Sequence, residues 1–155
     1  MLIKKILIGI DNSTFSEHAA KYGFNMARTF NAKVGLVHIV EPTLMPPNVG
    51  MDPLSGSLPD AIGDAEIMQV QNDMSENLLE KTEKKFGKGL QVTHFNEFGD
   101  TADGIIECGK DFKADMIILG THSRSGIDRL LMGSVAEHVV RHSEIPVLVV
   151  PMKEG

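Results

Sequence analysis

The chain has 155 residues, a formal net charge of −6 and no cluster of lysine and arginine, which fits one domain with a real core and excludes an extended nucleic-acid surface. Its one cysteine, Cys108, excludes an intrachain disulfide and suits a reducing compartment. No apolar run approaches bilayer length, and the opening Met1-Leu2-Ile3-Lys4-Lys5-Ile6-Leu7-Ile8 reaches Asp11 without a small-residue cleavage pattern. It reads as a first strand, in a cytoplasmic protein with neither a membrane nor a nucleic-acid partner.

That strand covers residues 3–10 and ends in a turn at Gly9-Ile10-Asp11-Asn12-Ser13. Thr14 and Glu17 have the spacing of a capping box. Phe15, Ala19, Tyr22, Met26 and Phe30 recur at helical spacing and predict an amphipathic helix to about residue 31. A second buried strand follows over 32–40, with His38 packing near its end.

Residues 41–64 change character, since five of the seven prolines and three glycines fall there. They predict a long irregular insertion. Ile67, Val70, Met74, Leu78 and Phe86 mark the inner face of a second helix over 64–86, closed by Gly87 and Gly89. A third strand spans 90–98. Gly99-Asp100 then turns into a helix over 101–112 with Ile105 and Ile106 facing inward. Cys108 lies in that helical pattern, which favours a packed thiol over a reactive one.

The fourth strand, 114–120, contains Met116-Ile117-Ile118-Leu119, the continuous apolar run of a strand buried on both faces. It leads into Gly120-Thr121-His122-Ser123-Arg124-Ser125-Gly126 and then Gly133-Ser134-Val135-Ala136-Glu137. Ser134 and Glu137 also stand in capping-box spacing, opening a helix over 134–142. A helix start offers free amides and partial positive charge to a phosphate. Glycines let the backbone approach such a ligand closely. Residues 145–150 form the fifth strand.

Strands alternating with helices imply an α/β fold, a parallel sheet with helices on both faces. The chain lacks G-x-x-x-x-G-K-[ST], a strand-linked G-x-G-x-x-G and G-x-S-x-G, so P-loop, dinucleotide and hydrolase-elbow chemistry find no support. Asp11 and Asp128 are the carboxylates near the glycine loops, too few for a dedicated phosphoryl-transfer centre, and no fast ATPase is expected. His138 and His142 share a helix face at i, i+4, but neither H-E-x-x-H nor a third ligand accompanies them, so no metal site is expected.

The spacing G-x-x-S-x9-G-S, with the sequel Val-Ala-Glu-His-Val-Val-Arg-His-Ser-Glu-Ile-Pro-Val-Leu-Val-Val, resembles the universal stress protein family over nearly the whole chain. ATP-binding members carry G-x-x-G-x9-G-[ST], and Ser123 stands where that pattern has its second glycine. A non-glycine held at positive φ costs on the order of 1–2 kcal/mol, while a serine hydroxyl can itself donate to phosphate.

The resemblance implies an adenine-nucleotide-hydrolase-like, Rossmann-like single domain over 1–155, with an open five-stranded parallel sheet in the order 3-2-1-4-5. It places a ligand crevice at the switch point beyond strands one and four. It implies ATP as ligand and leaves open whether magnesium accompanies it. Gly9, Ile10 and Ile39 match positions lining the base pocket, and Asp11 matches an aspartate that contacts the nucleotide. Leu119, Gly120 and His122 match the wall and ribose-phosphate loop. Ser123, Gly133, Ser134, Val135 and Ala136 match positions that hold phosphates. Arg124 and Arg129 are candidates to neutralise phosphate charge. Val147 to Val150 would then form an apolar sheet edge, which a second copy would cover about a two-fold axis. The expected function is a nucleotide-dependent stress-response module. The alternatives are a nucleotide-free dimeric interaction protein and, third, a slow ATP hydrolase.

Overall fold

The computed structural model describes residues 1–42, 63–121 and 132–152. Five strands and four helices alternate: β1 (Lys5–Gly9), α1 (Thr14–Phe30), β2 (Lys33–Val40), α2 (Asp64–Phe86), β3 (Val92–Phe98), α3 (Thr101–Phe112), β4 (Met116–Gly120), α4 (Ser134–His142) and β5 (Val147–Val150). All strands pair in parallel, in the order β3-β2-β1-β4-β5. β1 is central because both of its faces are apolar: Ile6, Leu7 and Ile8 have no exposed surface. Side chains alternate across a strand, so each central strand feeds two cores. Ile6, Ile8, Leu36 and Ile118 pack with Phe24 and Leu79 under α1 and α2. Leu7, Val37, Ile117 and Leu119 pack with Ile105 and Val139 under α3 and α4.

The helix spans agree with the periodicity, and Ile105 and Ile106 are buried. The strands are shorter than the apolar runs, which extend into turns at β1, β3, β4 and β5. Two faces differ from expectation. On α1, Ala19 is buried as expected, but Tyr22 and Phe30 are exposed and Ala20, Gly23, Phe24 and Ala27 are buried in their place. On α2, Val70 and Met74 are exposed, while Ser75 and Leu79 are buried. In both helices large apolar residues attracted the reading, but on α1 small residues let the helix sit close to the sheet, where a Cβ on Gly23 would stand 2.7 Å from Ile8.

Neither expected capping box forms, because the cap position of each helix falls one residue earlier. Ser13 caps α1, its Oγ accepting the Ser16 amide at 3.2 Å, and Thr14 is already helical. Gly133 occupies the cap position of α4, and Ser134 is already helical. The proline-rich insertion falls largely on residues 43–62, outside the described residues.

Candidate functional site

A cleft of about 510 Å³ opens at the carboxyl ends of β1, β2 and β4. Its volume lies in the range of small-molecule sites. β1 and β4 are neighbours there, and the helices that follow them lie on opposite faces of the sheet. This is the switch point of the fold. β1 delivers Gly9, Ile10 and Asp11 to the cleft, β2 delivers Ile39, and β4 delivers Leu119 and Gly120. Gly133, Ser134, Val135 and Ala136 close it from the start of α4. Three other expected residues, His122, Ser123 and Arg124, lie outside the described residues, as does Arg129.

The apolar part of the lining includes Ile10, Ile39, Ile105, Leu119 and Ala136, each below a tenth exposed. The polar part is organised around Asp11. Its carboxylate Oδ1 accepts the Ser13 amide at 2.8 Å, and its own amide donates to Ser16 Oγ at 2.8 Å. With the Ser13 cap on Ser16, three hydrogen bonds form a closed ring at the start of α1. Gly120 is required beside that ring, because a Cβ there would stand 2.8 Å from the Phe15 carbonyl oxygen.

α4 begins differently. Gly133 has φ 83° and ψ 145°, a conformation costly for any residue with a Cβ, and no side chain among the described residues caps the helix. Its first turn therefore presents a partial positive charge at the cleft beside the Ser134 hydroxyl.

At the far end, Glu41 Oε1 accepts the Thr101 hydroxyl at 2.7 Å and its amide at 3.4 Å. Asp100 caps α3 next to it by accepting the Asp103 amide at 2.9 Å. His38 Nδ1 meets Ser75 Oγ at 2.6 Å. Ser75 donates to Asn96 Oδ1 at 2.6 Å, and Asn96 donates to Asn72 at 2.8 Å. Because the serine proton goes to Asn96, Nδ1 of His38 carries the proton in its own bond. His38 thus packs near its strand end, as the sequence suggested, and also lines the cleft.

Ser16, Glu41, Gln71 and Thr101 line the cleft as well and were not singled out from the sequence. Ser16 carried a signal, five residues after Asp11 and one turn into a helix. Gln71 carried none, since only tertiary packing brings α2 over β2.

Other chemistry expected from the sequence is differently placed. His138 Nε2 contacts Asp103 at 2.9 Å, His142 Nδ1 contacts the His138 carbonyl at 2.9 Å, and the two rings lie 4.2 Å apart. The first of these contacts ties α4 to α3, and the other two lie within α4. Among the described residues no group of three or more His, Cys, Asp or Glu is placed to hold a metal. Among the described residues no helix is long and apolar enough to cross a membrane. Cys108 is buried, and burial, aided by the charges of Glu97, Asp111 and Glu107, pushes its thiol up to about 11.

Comparisons with known proteins agree on one family. The model of the universal stress protein family matches residues 2–151. The universal stress protein MJ0531 of Methanocaldococcus jannaschii is 35% identical over 155 residues, covering 99% of this chain and 86% of the relative. The solved structure of MJ0577 superposes with a TM-score of 0.80 at 25% identity, covering 100% of both chains; that protein also comes from M. jannaschii. A universal stress protein solved in complex with cAMP shares the fold, with a TM-score of 0.69 at 22% identity over 97% of this chain and 98% of that one.

Proposed function

The chain belongs to the universal stress protein family, and on that premise we propose that it binds ATP in the switch-point cleft and acts as a nucleotide-dependent regulatory module of the stress response. The observation that carries this reading is the meeting, in one cleft, of the Asp11 turn and the uncapped start of α4. One end is apolar and suits a purine. The other supplies the first-turn amides of α4 and a hydroxyl, which suit phosphate oxygens. A fold relative holding cAMP supports an adenine nucleotide.

In this reading Ile10, Ile39 and Leu119 enclose the base, and Asp11 accepts a hydrogen bond from the nucleoside. The amides from Gly133 to Ala136, with Ser134, hold the phosphates. His122 and Ser123 complete the loop on the sequence match alone, and Arg124 joins them on its charge. Magnesium, when bound, would screen phosphate charge. The charged residues among the described lining are Asp11 and Glu41, both acidic, so any screening by protein falls to Arg124 and Arg129. Turnover is at most slow, and the protein acts as a cytoplasmic homodimer paired through β5.

The test is to denature freshly purified protein, chromatograph what is released, and titrate ATP while following melting. Saturation at about a hundred times the dissociation constant adds roughly 2.7 kcal/mol of stability. No released nucleotide and no melting shift at millimolar ATP would instead identify a nucleotide-free interaction protein. Magnesium-dependent turnover lost in Asp11→Asn would identify a hydrolase.

A further inference from the structure

We infer that Ser16 is a positioning residue for the nucleotide, holding Asp11 in the orientation that meets the ligand; the inference rests on the ATP reading above. The ground is the closed ring of Asp11, Ser13 and Ser16. Asp11 belongs to a turn, where a short polar side chain ordinarily samples several rotamers. Here two bonds fix it. The Ser13 amide takes Oδ1, and Ser16 Oγ anchors the Asp11 main chain. No hydrogen bond to Oδ2 occurs among the described residues, which leaves that oxygen to serve the cleft.

Ser16 is only 5% exposed, so it is no ordinary surface serine of a first helical turn. It also stands where the two converging segments touch. Gly120, at the end of β4, approaches so closely that an added Cβ would lie 3.4 Å from the Ser16 amide nitrogen. Ser16 therefore lies where the Asp11 turn passes the end of the strand that carries the glycine loop. A helix cap alone would not need this residue, because Ser13 already performs that role.

The mechanism is preorganisation. A carboxylate already aimed loses little rotamer freedom when the ligand arrives. Ser16→Ala removes the acceptor for the Asp11 amide and lets the turn relax. One net hydrogen bond corresponds to about tenfold in affinity.

A double-mutant cycle on ATP affinity tests this, using the full chain and calorimetric titration of Ser16→Ala, Asp11→Ala and the double variant. Ser16→Ala is expected to weaken ATP binding about tenfold in the wild-type background and to have almost no effect once Asp11 is alanine. Its effect on unfolding by denaturant should persist in both backgrounds, which separates positioning from stability. Equal weakening in both backgrounds would overturn the inference, as would no weakening in either. Ser16→Cys, close in size to serine but a weak acceptor, serves if Ser16→Ala does not fold; it should couple to Asp11 in the same way. Wild-type protein that binds no ATP would overturn the functional reading itself, a result distinct from ATP binding indifferent to Ser16.

Discussion

Gly133 enters α4 at φ 83° and ψ 145°, where a side chain costs on the order of 1–3 kcal/mol. The Gly133→Val variant should therefore unfold more easily and, because its Cβ would also stand at the start of α4, lose the melting shift on ATP. A shift of unchanged size would place the ligand elsewhere. Cys108 lends itself to a pH test. Its thiol rises from 9.0 to about 11 in the fold, chiefly through burial. The folded chain then holds that proton more tightly than the unfolded chain. The resulting stability is whole below pH 9.0 and is lost as pH climbs through about 11. Denaturant unfolding across this alkaline range should show a decline that is shallower in Cys108→Ala, since other groups titrate in both proteins alike. Equal slopes would mean that the thiol does not contribute. Single residues of this kind were partly legible in the sequence. Gly133 could be read from its place in a motif, and the burial of Cys108 from its helical neighbours. The Asp11 ring could not, because neither hydroxyl announces which amide it will accept or serve.

The register of α2 shows where periodicity misleads. Ile67, Val70, Met74, Leu78 and Phe86 suggested its inner face, yet Val70 is 58% exposed and Met74 64%. The residues that enter the core are Leu79, at 1% exposure, and Ser75, at 1%, with Leu78 and Phe86 packed partly against them. Ser75 was invisible to a hydrophobic pattern because what it contributes is a hydrogen-bonded link from His38 to Asn96. A polar group buried this fully is tolerated because its partners satisfy it. The helix limits were legible because Gly63 and Gly87 flank the span, whatever direction its faces point. Leu79→Ala should cost about 2–5 kcal/mol in chemical denaturation, as a large-to-small change in a closed core. Val70→Ser and Met74→Ser should each stay within about 0.5 kcal/mol of wild type. A loss at Met74 comparable to that at Leu79 would show that this face is covered in the native protein.

At the scale of the molecule, the strand order leaves β3 and β5 as the two edges, and they are not equivalent. β3 alternates charged and polar residues with apolar ones, including His94, Asn96 and Glu97, which suits an exposed edge. β5 is Val-Leu-Val-Val, with three of its four residues only half-buried. Along a parallel strand, consecutive residues direct their amide and carbonyl to opposite sides. Ile117 pairs with Val147, and the Ile117 amide donates to the Pro146 carbonyl at 2.9 Å. Leu148 and Val150 therefore bond to β4, whereas the polar groups of Val147 and Val149 face the open edge. Those are the groups a second copy would use in the proposed two-fold pairing. Val149→Pro removes an amide from that open edge and none from the ladder to β4, so the monomer fold should survive. None of the residues lining the cleft belongs to β5, so ATP should still raise the melting temperature of this variant. Sedimentation is expected to show wild type as a dimer and Val149→Pro as a monomer at equal concentration. A dimer that persists in Val149→Pro would place the subunit contact on another face. A monomer that no longer responds to ATP would mean that pairing through β5 completes the cleft, and that assembly and nucleotide binding are one equilibrium rather than two.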